Sequence, residues 1–209
     1  MATAVHADTS TDATDLPLVV RAAVILGVVE AVCVLLVSVI NKRLTGTADV
    51  ALTGVVVAAG TAFTIFFPAM RTRPRTIEGI AGAAGIGLGA ALVFLVIDVS
   101  LLQPIGTYTN RWREIGGHSN WWYHPTWWIV GSFLPWLGAW ILANQASKRG
   151  ESSLPVAIGM VALLASAIGT AAAALHFPGA SFNVPTFAVA VLPALTLGTW
   201  ISGLGASRR

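Results

Sequence analysis

Two acidic residues stand where an acid is costly. Glu30 lies inside the apolar run 27–33, and Asp98 inside the apolar run 94–100. A charged side chain at the centre of a bilayer costs about 2.5–3.5 kcal/mol on insertion scales. Such a group persists when it is protonated, paired, or turned toward a cavity or a partner. Glu30 therefore has two readings: a proton or ion site, or an acid hydrogen-bonded between helices. Asp98 lies about one turn from the end of its run, and its expected partner is water or an arginine outside the membrane.

The histidines form the second group. His118 and His124 fall in one polar stretch and His176 ends a later apolar run. With Asp98 at similar depth, three imidazoles and a carboxylate are the donor types of a Zn or Cu site, or of redox or hydrolytic chemistry. Their spacing matches no metal motif: there is no His-Glu-x-x-His and no cysteine partner. A haem held between two helices is disfavoured, because His124 starts a helix and His176 ends one. The third group is aromatic. Trp121, Trp122, Tyr123, Trp127 and Trp128 crowd into eight residues. Indole and phenol rings favour the headgroup layer of a bilayer. They read as a belt anchoring a helix, or as a shelf for a lipid, quinone or pigment.

Other chemistries are missing from the sequence. There is no Gly-x-Ser-x-Gly elbow. The glycines of 85–89 have no phosphate-loop lysine and fall within an apolar run. Lys42 and Lys148 are the only lysines and both lie between apolar runs, which excludes a retinal-type Schiff base.

These residues must be held by membrane helices. Of the 209 residues, 56 % are hydrophobic and 10 % charged, against about 25 % charged in soluble domains. Too few charges remain to cover a surface in water. Six stretches reach the roughly 20 apolar residues that a span needs: 17–41, 49–70, 78–102, 125–146, 155–177 and 184–205. The expected fold is an all-α, polytopic bundle of six transmembrane helices over 15–209, one domain, preceded by a disordered polar tail at 1–14. Asp15, His124, Ser153 and Asn183 each precede a proline-containing first turn and are expected helix caps.

Basic residues orient the bundle. With both ends in the cytoplasm, Arg21, Arg71, Arg73, Arg75, Lys148, Arg149, Arg208 and Arg209 lie inside, and Lys42, Arg43, Arg111 and Arg113 outside. The excess of inner cations favours this N-in, C-in placement, which puts a Trp-rich interfacial segment outside between helices 3 and 4. The cations are dispersed among the runs, so nucleic acid is not an expected partner. Cys33 is the single cysteine and cannot form an intramolecular disulfide.

Small residues mark packing faces. Gly85 and Gly89 form a small-xxx-small pair with Ala83 and Gly87 beside it, and the fifth span carries Ala165, Gly169, Ala171, Ala172, Ala173 and Ala174. Such faces allow close helix approach where lipid supplies no hydrophobic drive. They serve the bundle itself, self-association or another subunit. A Phe-Pro pair at 67–68 and another at 177–178 hint at an inverted 3+3 repeat.

Three functions follow as expectations. The first is a non-catalytic integral membrane subunit or scaffold, holding a lipid, quinone or pigment at the outer aromatic shelf. The second is a small membrane enzyme or redox protein with a transition metal at the outer His118, His124, His176 and Asp98. The third is a proton-coupled transporter using Glu30. The expected location is the bacterial cytoplasmic membrane.

Overall fold

The computed structural model describes residues 15–108 and 123–206, with side chains for all of these except 123–129. The expected polar tail 1–14 lies outside the described residues, as do His118, Trp121 and Trp122 and the side chains of Tyr123, His124, Trp127 and Trp128. Six α-helices follow one another: α1 (Leu16–Arg43), α2 (Gly46–Thr72), α3 (Ile77–Ile97), α4 (Tyr123–Arg149), α5 (Leu154–Ala174) and α6 (Val184–Gly203). No strand occurs among the described residues. Among the described residues, five helices are long and apolar enough to cross a membrane: α1, α2, α3 with its continuation to Leu102, α5 and α6. The chain is a helical membrane protein. Its outer surface bears Val24, Val28, Val32, Leu92, Val96 and Leu163, all exposed, as a lipid-facing surface requires.

The closest helix pairs are α1 with α3, α3 with α4, and α5 with α6. Small residues make these approaches possible. On α1, a Cβ at Gly27 would come within 2.7 Å of the Ala90 carbonyl oxygen. On α5, the buried residues Ala157, Val161, Ala165, Gly169 and Ala173 recur every fourth position. A Cβ at Gly169 would meet the ring of Phe187 on α6 at 2.6 Å. The alanine face of α5 is therefore spent in large part on α6. Gly85 and Gly89 separate: a Cβ at Gly89 would come 2.9 Å from Ala23 on α1, whereas Gly85 faces open space.

Helix ends differ in detail from expectation. Asn183 does cap α6, its Oδ1 accepting from Thr186 N at 3.0 Å. Asp15 and Ser153 make no side-chain cap bond. The proline in each first turn has no N–H to offer, and the Ser153 backbone N–H instead donates to Gln145 Oε1 at 2.9 Å. The fifth span stops three residues early. His176 adopts a left-handed conformation, φ 54°, and Phe177 N donates to the Ala172 carbonyl at 2.9 Å and His176 N to that of Ala173 at 3.3 Å. That is the Schellman closure of a helix C-terminus. The two Phe-Pro pairs are not equivalent, because Pro68 is inside α2 and Pro178 lies beyond the end of α5. Among the described residues the two halves also pair their helices differently.

Candidate functional site

Four places bring polar groups or space together. The first is at mid-helix between α1 and α2. Thr64 Oγ1 donates to Glu30 Oε1 at 3.1 Å. Glu30 is half-buried, and Cys33, one turn further on, packs against Gly60, whose Cβ would lie 3.1 Å from its Sγ. The acid is thus hydrogen-bonded between helices. Glu30→Gln keeps an oxygen acceptor for Thr64, so its expected stability change is below about 1 kcal/mol, while Thr64→Val is expected to cost about 1 kcal/mol. Thermal unfolding in mild detergent measures both. A much larger loss for Glu30→Gln would reveal a charged partner for the acid.

The second place is the C-terminal end of α3. The helix ladder widens into a π-turn, Asp98–Leu102, with Gln103 N donating to the Asp98 carbonyl at 2.9 Å. Ser100 Oγ donates to the Val96 carbonyl at 2.6 Å, a back-bond that competes with the ladder. The wider turn draws Asp98 inward. It is fully buried, accepting from Gln103 Nε2 at 2.6 Å and from the Tyr108 hydroxyl. Among the described residues the chain returns over the acid and supplies its donors from Gln103 and Tyr108, while Arg111 and Arg113 lie outside the described residues. Ser38 Oγ donates to the Thr107 carbonyl at 2.5 Å and Lys42 Nζ to the Gly106 carbonyl at 2.6 Å. Two side chains of α1 therefore clamp the return segment 103–108 above the acid.

The third place is a cleft of about 440 Å³ between α2 and α5, floored by α6. Its walls are Gly54, Ala58 and Ile65 on one side and Ile158, Ala162 and Ala165 on the other, with Phe187 and Val191 beneath. Thr61 of α2 and Ser166 of α5 place one hydroxyl on each wall. The size falls within the range of small-molecule pockets. Its origin is in the packing: α5 commits its small-residue stripe to α6, and its other flank does not reach α2.

The fourth place is a crevice at the opposite end of the bundle from Asp98, between the start of α3 and the ends of α4 and α6. Its lining includes Arg75, Trp136, Trp140, Asn144 and Trp200. Trp136, Trp140 and Asn144 are four residues apart and share one face of α4.

The histidines do not assemble within the described residues. His176 is exposed at the end of α5, and His118 and the His124 side chain lie outside them. Among the described residues no three of His, Cys, Asp and Glu converge as a metal would need. The spacing of Trp136, Trp140 and Asn144 was available in the sequence, but the denser tryptophans at 121–128 overshadowed it. The cleft left no such trace. Compared with family models, curated proteins and solved structures, the chain matches none, so its function is argued from its own geometry.

Proposed function

We propose that the chain is a non-catalytic subunit of the bacterial cytoplasmic membrane with six spans, both ends inside, that holds the apolar tail of a quinone or lipid in the cleft between α2 and α5. The cleft carries this reading. It is preformed, open at mid-helix height and lined by apolar side chains apart from Thr61, Ser166 and, at one end, Asn183. A quinone ring offers two carbonyl acceptors, which suit Thr61 and Ser166 as donors, and its isoprenoid chain suits the alanine and isoleucine walls. The sixth span is α4, whose 27 residues extend about 40 Å, enough for a hydrocarbon core of about 30 Å. The distribution of arginine and lysine supports the orientation. The outer aromatic residues 121–128 then anchor α4 at the interface.

The cleft makes a direct prediction. Ala162 is exposed in the cleft wall, so Ala162→Phe fills the space without disturbing the packed stripe on α6. Protein purified in mild detergent is expected to retain a tail-bearing quinone or lipid near one per chain, found by solvent extraction and mass spectrometry. Ala162→Phe is expected to lower retention at least about tenfold with an unchanged unfolding midpoint. Equal retention by both proteins would remove this reading.

A further inference from the structure

We infer that the crevice between α3, α4 and α6 is a binding site for one anionic phospholipid, with its phosphate at Arg75 and its acyl chains against Trp136, Trp140 and Trp200. It does not rest on the α2–α5 cleft, which lies elsewhere in the bundle and takes an apolar tail.

Shape and lining point to an amphipathic ligand. The crevice measures about 1290 Å³, beyond the usual 300–1,000 Å³ of a small-molecule pocket and wide enough for lipid chains. Its indoles come from two helices, Trp136 and Trp140 from α4 and Trp200 from α6, and Trp136 and Trp200 are 41 % and 65 % exposed. Indole at this depth is apolar on its face and polar at its nitrogen, the property that places it between acyl chain and headgroup. The walls are held in register without a ligand. Asn144 Nδ2 donates to Ser202 Oγ at 3.0 Å and to the Thr199 carbonyl at 3.3 Å, which ties α4 to α6 at the crevice. A preformed site loses less on binding than one that must be ordered.

Charge selects the headgroup. Arg75 stands at the rim, opposed there by Glu78. This end of the bundle also carries Arg21, Arg71, Arg73, Lys148 and Arg149 against Asp15 and Glu151, and Arg208 and Arg209 follow Ala206 in sequence. The balance is cationic around a pocket with an apolar interior. Basic pockets between spans at the cytoplasmic side take anionic headgroups. A zwitterionic headgroup would carry its own ammonium into the same cationic field and lose that attraction.

Native mass spectrometry of the full chain in detergent, titrated with phosphatidylglycerol or with phosphatidylcholine, tests the site. Phosphatidylglycerol is expected to give a persistent one-to-one adduct and phosphatidylcholine a weaker one. Arg75→Gln is expected to weaken the phosphatidylglycerol adduct about fivefold, the weight of one cation near an anionic surface. Arg71→Gln removes the same charge from the last turn of α2, outside the crevice, and is expected to change it much less. Trp200→Ala is expected to weaken both lipids together, since it removes acyl contact and no charge. Excess inorganic phosphate is expected not to displace the lipid. Equal binding of the two lipids, equal effects of the two arginine variants, or displacement by phosphate alone would each overturn the proposal. None of these results depends on whether the α2–α5 cleft holds a quinone.

Discussion

Gly87→Ala is expected to destabilise the bundle by about 3 kcal/mol, the upper part of the range for overpacking, and Gly87→Leu to prevent the folded bundle from accumulating. Gly87 is where α3 and α4 cross. A Cβ there would overlap the Gly131 carbonyl oxygen and approach Pro135 Cγ at 2.5 Å. The reason lies on α4. Pro135 has no N–H, so the carbonyl of Gly131, four residues earlier, lacks its intrahelical donor. That carbonyl turns to the bare Cα of Gly87. The approach is mutual, for a Cβ at Gly131 would come 3.3 Å from the Gly87 carbonyl oxygen and 2.9 Å from Ala91 Cβ. At such crossings a Cα–H donates to a carbonyl oxygen that no water can reach. A methyl group added to Gly87 meets the Gly131 backbone and the Pro135 ring, and neither can change rotamer to make room. Gly85, half a turn away, provides the control: nothing lies within 4 Å of its Cβ position. Gly85→Leu is expected to stay within about 0.5 kcal/mol of wild type. Unfolding followed by tryptophan fluorescence in detergent measures all three variants. If Gly85 docks a second membrane subunit, Gly85→Leu removes the larger species on size exclusion and leaves the unfolding midpoint where it was. A destabilisation by Gly85→Leu equal to that of Gly87→Leu would refute this account of the crossing.

The contrast between the two glycines shows what could be read in advance. Helix positions were legible, because each span is an unbroken apolar run bounded by Pro, Gly or Arg, and the bilayer leaves the backbone no alternative to closing its hydrogen bonds within the helix. The small residues were legible as a class. Which neighbour each would meet was not. Gly85 and Gly89 have the spacing of a pair, yet the stripe that meets α4 is Ala83, Gly87 and Ala91, and Gly89 turns to α1. Two stripes on one helix, offset by two residues, look alike in a one-dimensional pattern. The π-turn at Asp98 adds a second obstacle. It shifts the face of every residue after it, and an apolar run carries no mark of where such a turn falls, apart from the Ser100 back-bond.

The sites were legible in inverse order of their dependence on tertiary packing. Glu30 was found from type and depth alone, and its bond to Thr64 is one of the two outcomes those facts allowed. The crevice could have been found from Trp136, Trp140 and Asn144 on one helix face, though Trp200 and Arg75 join them only when α6 and the α2–α3 turn are in place. The cleft is an absence of packing between α2 and α5, and absence of packing leaves no residue type behind.

Asp98→Leu is expected to cost about 1–3 kcal/mol, the second large effect, because the half-buried Tyr108 hydroxyl and the Gln103 amide lose the acceptor they share. Gln103 and Tyr108 point at the carboxylate from the segment that closes the C-terminal end of α3. Once the acceptor is gone the exposed Gln103 amide turns to water, and the half-buried Tyr108 hydroxyl reaches it as the return 103–108 loosens. Asp98→Asn keeps one oxygen, serves one donor and sets its own NH₂ against the other, so it is expected to lie between wild type and leucine. Tyr108→Phe removes a single hydroxyl and is expected to cost about 1–2 kcal/mol. In the double variant with Asp98→Leu the costs are expected to fall short of additive, since both substitutions break the same bond. Hydrogen exchange provides the spatial readout. The amides of Ile105, Gly106 and Thr107, which bond to Leu101, Gln103 and Leu102, are expected to lose protection in Asp98→Leu while those of α5 and α6 keep theirs. The clamp from Ser38 and Lys42 remains in that variant, so the segment should loosen without leaving the bundle. Equal protection in wild type and Asp98→Leu would mean that the clamp alone holds the return, and that the buried acid is there for another reason, such as binding a proton or a ligand brought by the residues that follow Tyr108.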